Sequence, residues 1–148
     1  MDNIDIRPAC PDDCALILNW RNDPESQKQS YNSSAIDPET HRAWFERKIQ
    51  DPACLFYVLT FNGIPAGQFR IDIQNGIGEI SYTVAPSYRG MGLGTALLLS
   101  AFRTGEGKAD ALIGFVRSGN PASKRCFEKA GFTEFKAGDD SCFILLFR

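Results

Sequence analysis

The chain opens on a two-residue alternation. Ile4 and Ile6 are apolar while Asp5 and Arg7 are polar, which predicts a short strand over 3–7. Pro8 and Pro11 end it. Leu16, Ile17 and Trp20 then recur at helical spacing and stop near Asn22-Asp23-Pro24. The polar stretch 24–35 reads as a loop. Asp37-Pro38 sets an N-cap residue before a proline at the first helical position, so a helix is expected from there to about Gln50, with Trp44, Phe45 and Ile49 on one side. Residues 55–61 and 64–73 are apolar and β-branched, with a hairpin turn at Asn62-Gly63. Asn75-Gly76 turns the chain again into a third strand over 77–85. Residues 95–103 predict an apolar helix closed by Gly105, and 111–116 a buried strand. Asn120-Pro121 opens a helix that ends at Ala130 with Gly131 just beyond it. Strands at 132–135 and 142–147 complete the pattern. A meander followed by an α-β-α-β-β run predicts a mixed α/β sheet in one domain, 1–148.

Composition narrows the function. The 148 residues, 43% hydrophobic and 23% charged, suit a single globular domain. A net charge of −2 with no basic stripe argues against nucleic-acid binding. No apolar run approaches the roughly 20 residues of a membrane span. The start MDNIDIRPAC lacks the basic and apolar segments of a secretory signal, so a cytoplasmic protein is expected. Five scattered cysteines do not suggest a disulfide framework, and one histidine, His41, leaves a zinc site short of ligands. No metal is expected. A hydrolytic triad would have to be built around His41 alone.

The densest chemical signal lies at Val84 to Thr95, where a strand enters a turn containing Arg89, Gly90, Met91, Gly92, Leu93 and Gly94 and then opens a helix. Backbone N–H groups at a helix N-terminus, helped by its dipole, favour a phosphate. Glycines let that backbone approach closely, and Arg89 adds a cation. A Walker A loop is excluded, because the sole Gly-Lys, Gly107-Lys108, has Phe102 where the first glycine belongs. A dinucleotide fingerprint fails at Thr95, where its third glycine would fall.

Arg89-Gly-Met-Gly-Leu-Gly94 resembles the Arg/Gln-x-x-Gly-x-Gly/Ala signature of the GNAT superfamily of acetyl-CoA-dependent N-acetyltransferases. Asn120-Pro-Ala-Ser123 and Phe127-Glu-Lys-Ala-Gly-Phe132 are similar to its second cofactor motif. The likeness spans nearly the whole chain and implies one α/β (α+β) GNAT domain, with a mixed, mostly antiparallel sheet of about seven strands flanked by about four helices. It implies acetyl-CoA as cosubstrate, its pyrophosphate on the amides of Arg89 to Thr95 and its pantetheine arm along Tyr82, Thr83 and Val84. Asn120, Ser123 and Phe127 would complete that site, although Asn120 serves equally as a helix N-cap.

Acetyl transfer needs a neutral amine, so a general base is expected. Glu79 is the candidate, with Ile77, Ile80, Tyr82 and Val84 as neighbours able to raise its pKa by desolvation. The Val84 N–H is the candidate oxyanion donor. Many family members carry tyrosine where this chain has Phe127, so the acid that protonates the leaving thiolate is unassigned; water or the hydroxyls of Tyr82, Tyr88 or Ser123 are alternatives.

The resemblance places the acceptor against the first helices and their connection: Arg21, Asn22, Tyr31, Asn32, His41 and Trp44. The pattern Trp-Arg-Asn-Asp-Pro-Glu at 20–25, His-x-x-Trp-Phe at 41–45 and Gly67-Gln-x-Arg70-x-Asp72 is similar to acetyltransferases of nonulosonate pathways, which act on a nucleotide-linked 4-amino sugar. It also resembles the ribosomal-protein N-terminal acetyltransferase branch. The expected partner is a small amine. Alternatives are acetylation of a protein N-terminus or lysine, and a non-catalytic CoA sensor. A homodimer is compatible with the sequence, which does not set an oligomeric state.

Overall fold

A computed structural model of the chain describes residues 2–29 and 35–147. Seven strands form one sheet: β1 (Ile4–Pro8), β2 (Cys54–Phe61), β3 (Ile64–Gln74), β4 (Ile77–Val84), β5 (Ala111–Val116), β6 (Thr133–Ala137) and β7 (Asp140–Leu146). Their order across it is β1-β2-β3-β4-β5-β7-β6. All neighbouring pairs are antiparallel except β4 with β5, as the crossover through a helix requires.

Among the described residues five α-helices flank the sheet: α1 (Cys14–Arg21), α2 (Pro24–Gln29), α3 (Pro38–Gln50), α4 (Leu93–Gly105) and α5 (Pro121–Lys129). The sheet and its flanking helices follow the expectation of about seven strands and about four helices, while the loop expected at 24–35 begins with the short helix α2. Its amphipathic signal is absent, but the Asp23 carboxylate accepts from the N–H groups of Glu25 and Ser26, both at 3.2 Å, and Pro24 sits in the first turn. The same device opens α3, where Asp37 accepts from Glu39 and Thr40.

The sheet separates two cores. On one face Ile17, Trp20 and Phe45 of α1 and α3 bury Cys54, Phe56 and Val58 of β2. On the other, Leu93, Leu97, Leu98 and Ala101 of α4 and Phe127 of α5 bury Leu59, Phe69, Ile71, Ile80 and Leu112. Strand alternation therefore sends Gln68, Arg70, Asp72, Glu79, Ser81 and Thr83 towards α1–α3.

Candidate active site

The central irregularity is a parting of β4 from β5. Their parallel pairing covers only Ile77 with Ala111, Gly78 with Leu112 and Glu79 with Ile113. Beyond that, β4 continues to Val84 against β3 alone. The Ala85 N–H donates to the Ala66 carbonyl at 2.8 Å, so alternation turns the backbone polar groups of Tyr82 and Val84 away from β3 and into the gap. An extended, amide-bearing arm is the chemistry such an edge accepts.

The glycine-rich turn lies at the outer end of this gap. Gly90 and Gly92 have φ of +80° and +79°, and a Cβ on either would meet nothing within 4 Å. They serve the left-handed turn and leave open space above it. Gly92 caps α4, and the first backbone bond of that helix runs from the Ala96 N–H to Gly92 O. The amides of Leu93, Gly94 and Thr95 precede it, which suits an anion. Gly94 does something else: a Cβ there would stand 2.8 Å from Cys126 Sγ, so this glycine lets α4 approach α5. Met91 is half exposed, and the Leu93 side chain is core.

Arg89, expected to add a cation beside a phosphate, is engaged by the start of α2. Its guanidinium donates to Asp23 Oδ2 at 2.6 Å and to Ser26 Oγ at 3.1 Å, across to the start of α2. That contact holds the Asp23 carboxyl below its ordinary range.

On α5, the Asn120 side chain accepts from the Ser123 N–H at 3.2 Å, so the N-cap role is realised. Ser123 Oγ and the Tyr82 hydroxyl are 2.7 Å apart. Burial pushes the Tyr82 phenol upward, which suits it to a neutral hydrogen-bonding role. Phe127 is 2% exposed and packs on Tyr82, Phe132 and Phe143; it is a core residue, its ring filling the space Gly114 leaves open.

Glu79 sits where the gap begins, as the last β4 residue paired to β5. The expectation of a desolvated carboxylate is corrected: Glu79 is exposed, because Ile80, Tyr82 and Val84 alternate onto the opposite face. It makes no ion pair or hydrogen bond among the described residues. Its cross-strand partner Asp72 is engaged by Lys48 at 2.7 Å and Arg70 at 2.8 Å. Burial raises the Asp72 carboxyl, but these two cations more than offset it and hold it below its ordinary value. Thr83 accepts from Gln68 Nε2 at 3.1 Å, while Gln68 Oε1 is buried without a partner among the described residues.

The acceptor-side expectations divide. Arg21 and Trp44 meet: the guanidinium carbon lies 4.1 Å from the indole centroid. His41 is fully buried, so it does not present its ring to a cleft as expected; α1 covers it, and Cys14 O and Arg21 take its two nitrogens at 2.9 and 3.2 Å. Asn22 is likewise committed, accepting from the Ile36 N–H at 2.8 Å and donating to Ile36 O at 3.0 Å. Tyr31 and Asn32 lie outside the described residues. Sequence reasoning assigned no site role to Arg70, Ser81 or Phe115. Arg70 Nη2 donates to Ser81 Oγ at 3.3 Å, and half-exposed Phe115 borders the gap on β5. The alternation 68-70-72 was the signal available for Arg70.

The sequence matches the family model described as an acetyltransferase (GNAT) domain over residues 3–133. No curated protein matches the chain. Similar solved structures include spermidine N-acetyltransferase from Vibrio cholerae with CoA and spermine, at TM-score 0.86, 18% identity and coverage of 97% of this chain and 95% of that one. Aminoglycoside acetyltransferase AAC(6')-Ib with coenzyme A and kanamycin gives 0.80, 17%, 97% and 95%. The putative acetyltransferase yncA from Salmonella typhimurium with acetyl-CoA gives 0.74, 25%, 97% and 93%.

Proposed function

The chain belongs to the GNAT acetyltransferase domain family, and from that premise we propose that it acetylates a small amino sugar, such as a nucleotide-linked 4-amino sugar. The observation that carries the reading is the parting of β4 from β5 beside the Gly90–Thr95 amides, with a free carboxylate at its root. Acetyl-CoA, once bound, supplies the thioester. The amides of Leu93, Gly94 and Thr95 hold its pyrophosphate, and the backbone edge of Tyr82 and Val84 aligns its amide-bearing arm.

Glu79 takes a proton from the ammonium, directly or through water, so that the amine lone pair is free to attack. Its exposure leaves it reachable by an incoming amine. The Val84 N–H donates a hydrogen bond where negative charge develops on the carbonyl oxygen. The Tyr82–Ser123 hydroxyl pair stands in for the hydroxyl that Phe127 lacks, as a hydrogen-bond donor beside the departing sulfur. A thiol with a pKa near 8.5 leaves without a strong acid.

The test is thiol release from acetyl-CoA against nucleotide-linked amino sugars, polyamines and N-terminal peptides. Release with amino sugars supports the reading. Release with peptides alone replaces it by protein acetylation, and acetyl-CoA binding with no release from any amine replaces it by a CoA sensor.

A further inference from the structure

Four positively charged side chains reach or border the α1–α3 side of the gap, and they are not equally satisfied. Arg70 and Lys48 share Asp72. Arg89 has Asp23. Arg21 reaches no carboxylate among the described residues. Its polar partner is a histidine nitrogen, and its flat face lies on Trp44.

The histidine is arranged to keep it so. His41 Nε2 lies 2.9 Å from Cys14 O, an acceptor only, so Nε2 carries the ring proton. Nδ1 is then a lone pair, which accepts from Arg21 Nη1 at 3.2 Å. Burial, aided by Arg21, holds His41 below its ordinary pKa despite the Cys14 carbonyl, and the ring stays neutral. His41 is therefore a positioning residue that aims a guanidinium without cancelling its charge.

Arg70 also lies against Trp44, its guanidinium carbon 4.9 Å from the ring centroid. Two cations share one indole, and one of them is half-buried with no counter-charge. Such a cluster is costly by itself, because desolvation and like-charge repulsion both oppose it. Burial and Arg70 bring Arg21 down to about 10. A bound anion would reverse both costs.

We propose that Arg21, aimed by His41 and Trp44 and backed by Arg70, binds an anionic group of the acceptor, a carboxylate or a phosphate. This rests on the acetyl-transfer reading above and deepens it. Ser81 at the gap, Arg70, Trp44 and Arg21 form a continuous file of contacts, at 3.3, 4.9 and 4.1 Å. The acceptor thus presents its amine at Glu79 and its anion at Arg21. It carries both charges, and a polyamine is the wrong ligand for this wall.

The probes are inorganic phosphate and acetate, titrated separately into protein saturated with acetyl-CoA, so that the loop amides are already filled. The readout is the Arg21 Nε–H signal in NMR, assigned by its loss in Arg21→Met. Saturable movement with either probe supports the site, and which probe acts identifies the anion. Arg21→Met should weaken phosphate or acetate binding at least tenfold, followed by calorimetry, with acetyl-CoA affinity unchanged. His41→Gln, which keeps an acceptor near Arg21, should retain more anion affinity than His41→Leu. An Arg21 signal indifferent to both probes overturns the proposal, as does equal anion binding in Arg21→Met. Loss of the acetyl-transfer reading registers separately, as no thiol release from acetyl-CoA with any amine in the unmodified protein.

Discussion

Glu79 owes its place to two neighbours that cannot compete with it. Asp72, directly across β3, is tied to Lys48 and Arg70, and Ile113 on β5 is apolar. Replacing the carboxylate by an isosteric amide removes the base and little else. Glu79→Gln should lower turnover about 100-fold or more, while acetyl-CoA affinity by calorimetry stays put. Equal turnover would remove Glu79 from the chemistry. His41 makes a second prediction at this scale. Its folded pKa lies below the unfolded value, so the unfolded chain takes up the proton first as pH falls. The stability linked to it is present above the unfolded pKa of roughly 6.5 and is lost as pH falls through the folded value. A urea midpoint should drop from pH 7 to pH 5, and His41→Gln should flatten the part of that drop due to this ring. The charge that acts on the ring is Arg21 on α1, which at about 10 stays positive throughout the window.

Between elements, the decisive contact is that of the glycine-rich turn with α2. Asp23 caps α2 and holds Arg89 through the same oxygen. Asp23→Ala removes both roles. It should cost about 1 kcal/mol as a lost cap, seen as a lower melting temperature, and acetyl-CoA affinity should change because Arg89 is freed. Unaltered affinity would show that Arg89 serves the α2 contact alone. At the same scale, Gly94→Val should destabilise by about 1–3 kcal/mol by overpacking against Cys126, whereas Gly92→Val meets no neighbour but strains the left-handed turn at φ +79°, and should damage cofactor binding with it. Much of this architecture is legible along the chain. Periodicity, Asn62-Gly63, Asn75-Gly76 and the Asp-Pro start of α3 are local signals, and each element they announce is present. The helix α2 carries the same Asp-Pro start but no apolar stripe, so its pattern is silent. The burial of His41 depends on where α1 lies across α3, a non-local fact. The exposure of Glu79 was readable in principle, since its apolar neighbours in sequence fall on the other face.

At the scale of the molecule, the sheet is two unequal parts. Strands β1 to β4 form one and β5 to β7 the other, joined edge to edge by three residue pairs and bridged by packing of α4 and α5. A cosubstrate arm lying along Tyr82 and Val84 would act as a missing rung. The amides of those two residues should then exchange hydrogen rapidly in the free protein and slowly with acetyl-CoA present. A ligand at 100 times its dissociation constant adds about 2.7 kcal/mol to the folded state, so the melting temperature should climb with acetyl-CoA concentration. A rise without protection at Tyr82 and Val84 would place the ligand elsewhere. Without that rung, heating should loosen β5–β7 before β1–β4 and broaden the calorimetric peak; with it, both parts should melt together. Cofactor supply would then govern the chain's lifetime as well as its turnover, since a starved molecule would more often open the half-sheet whose apolar underside α4 and α5 cover, and meet proteases in that state.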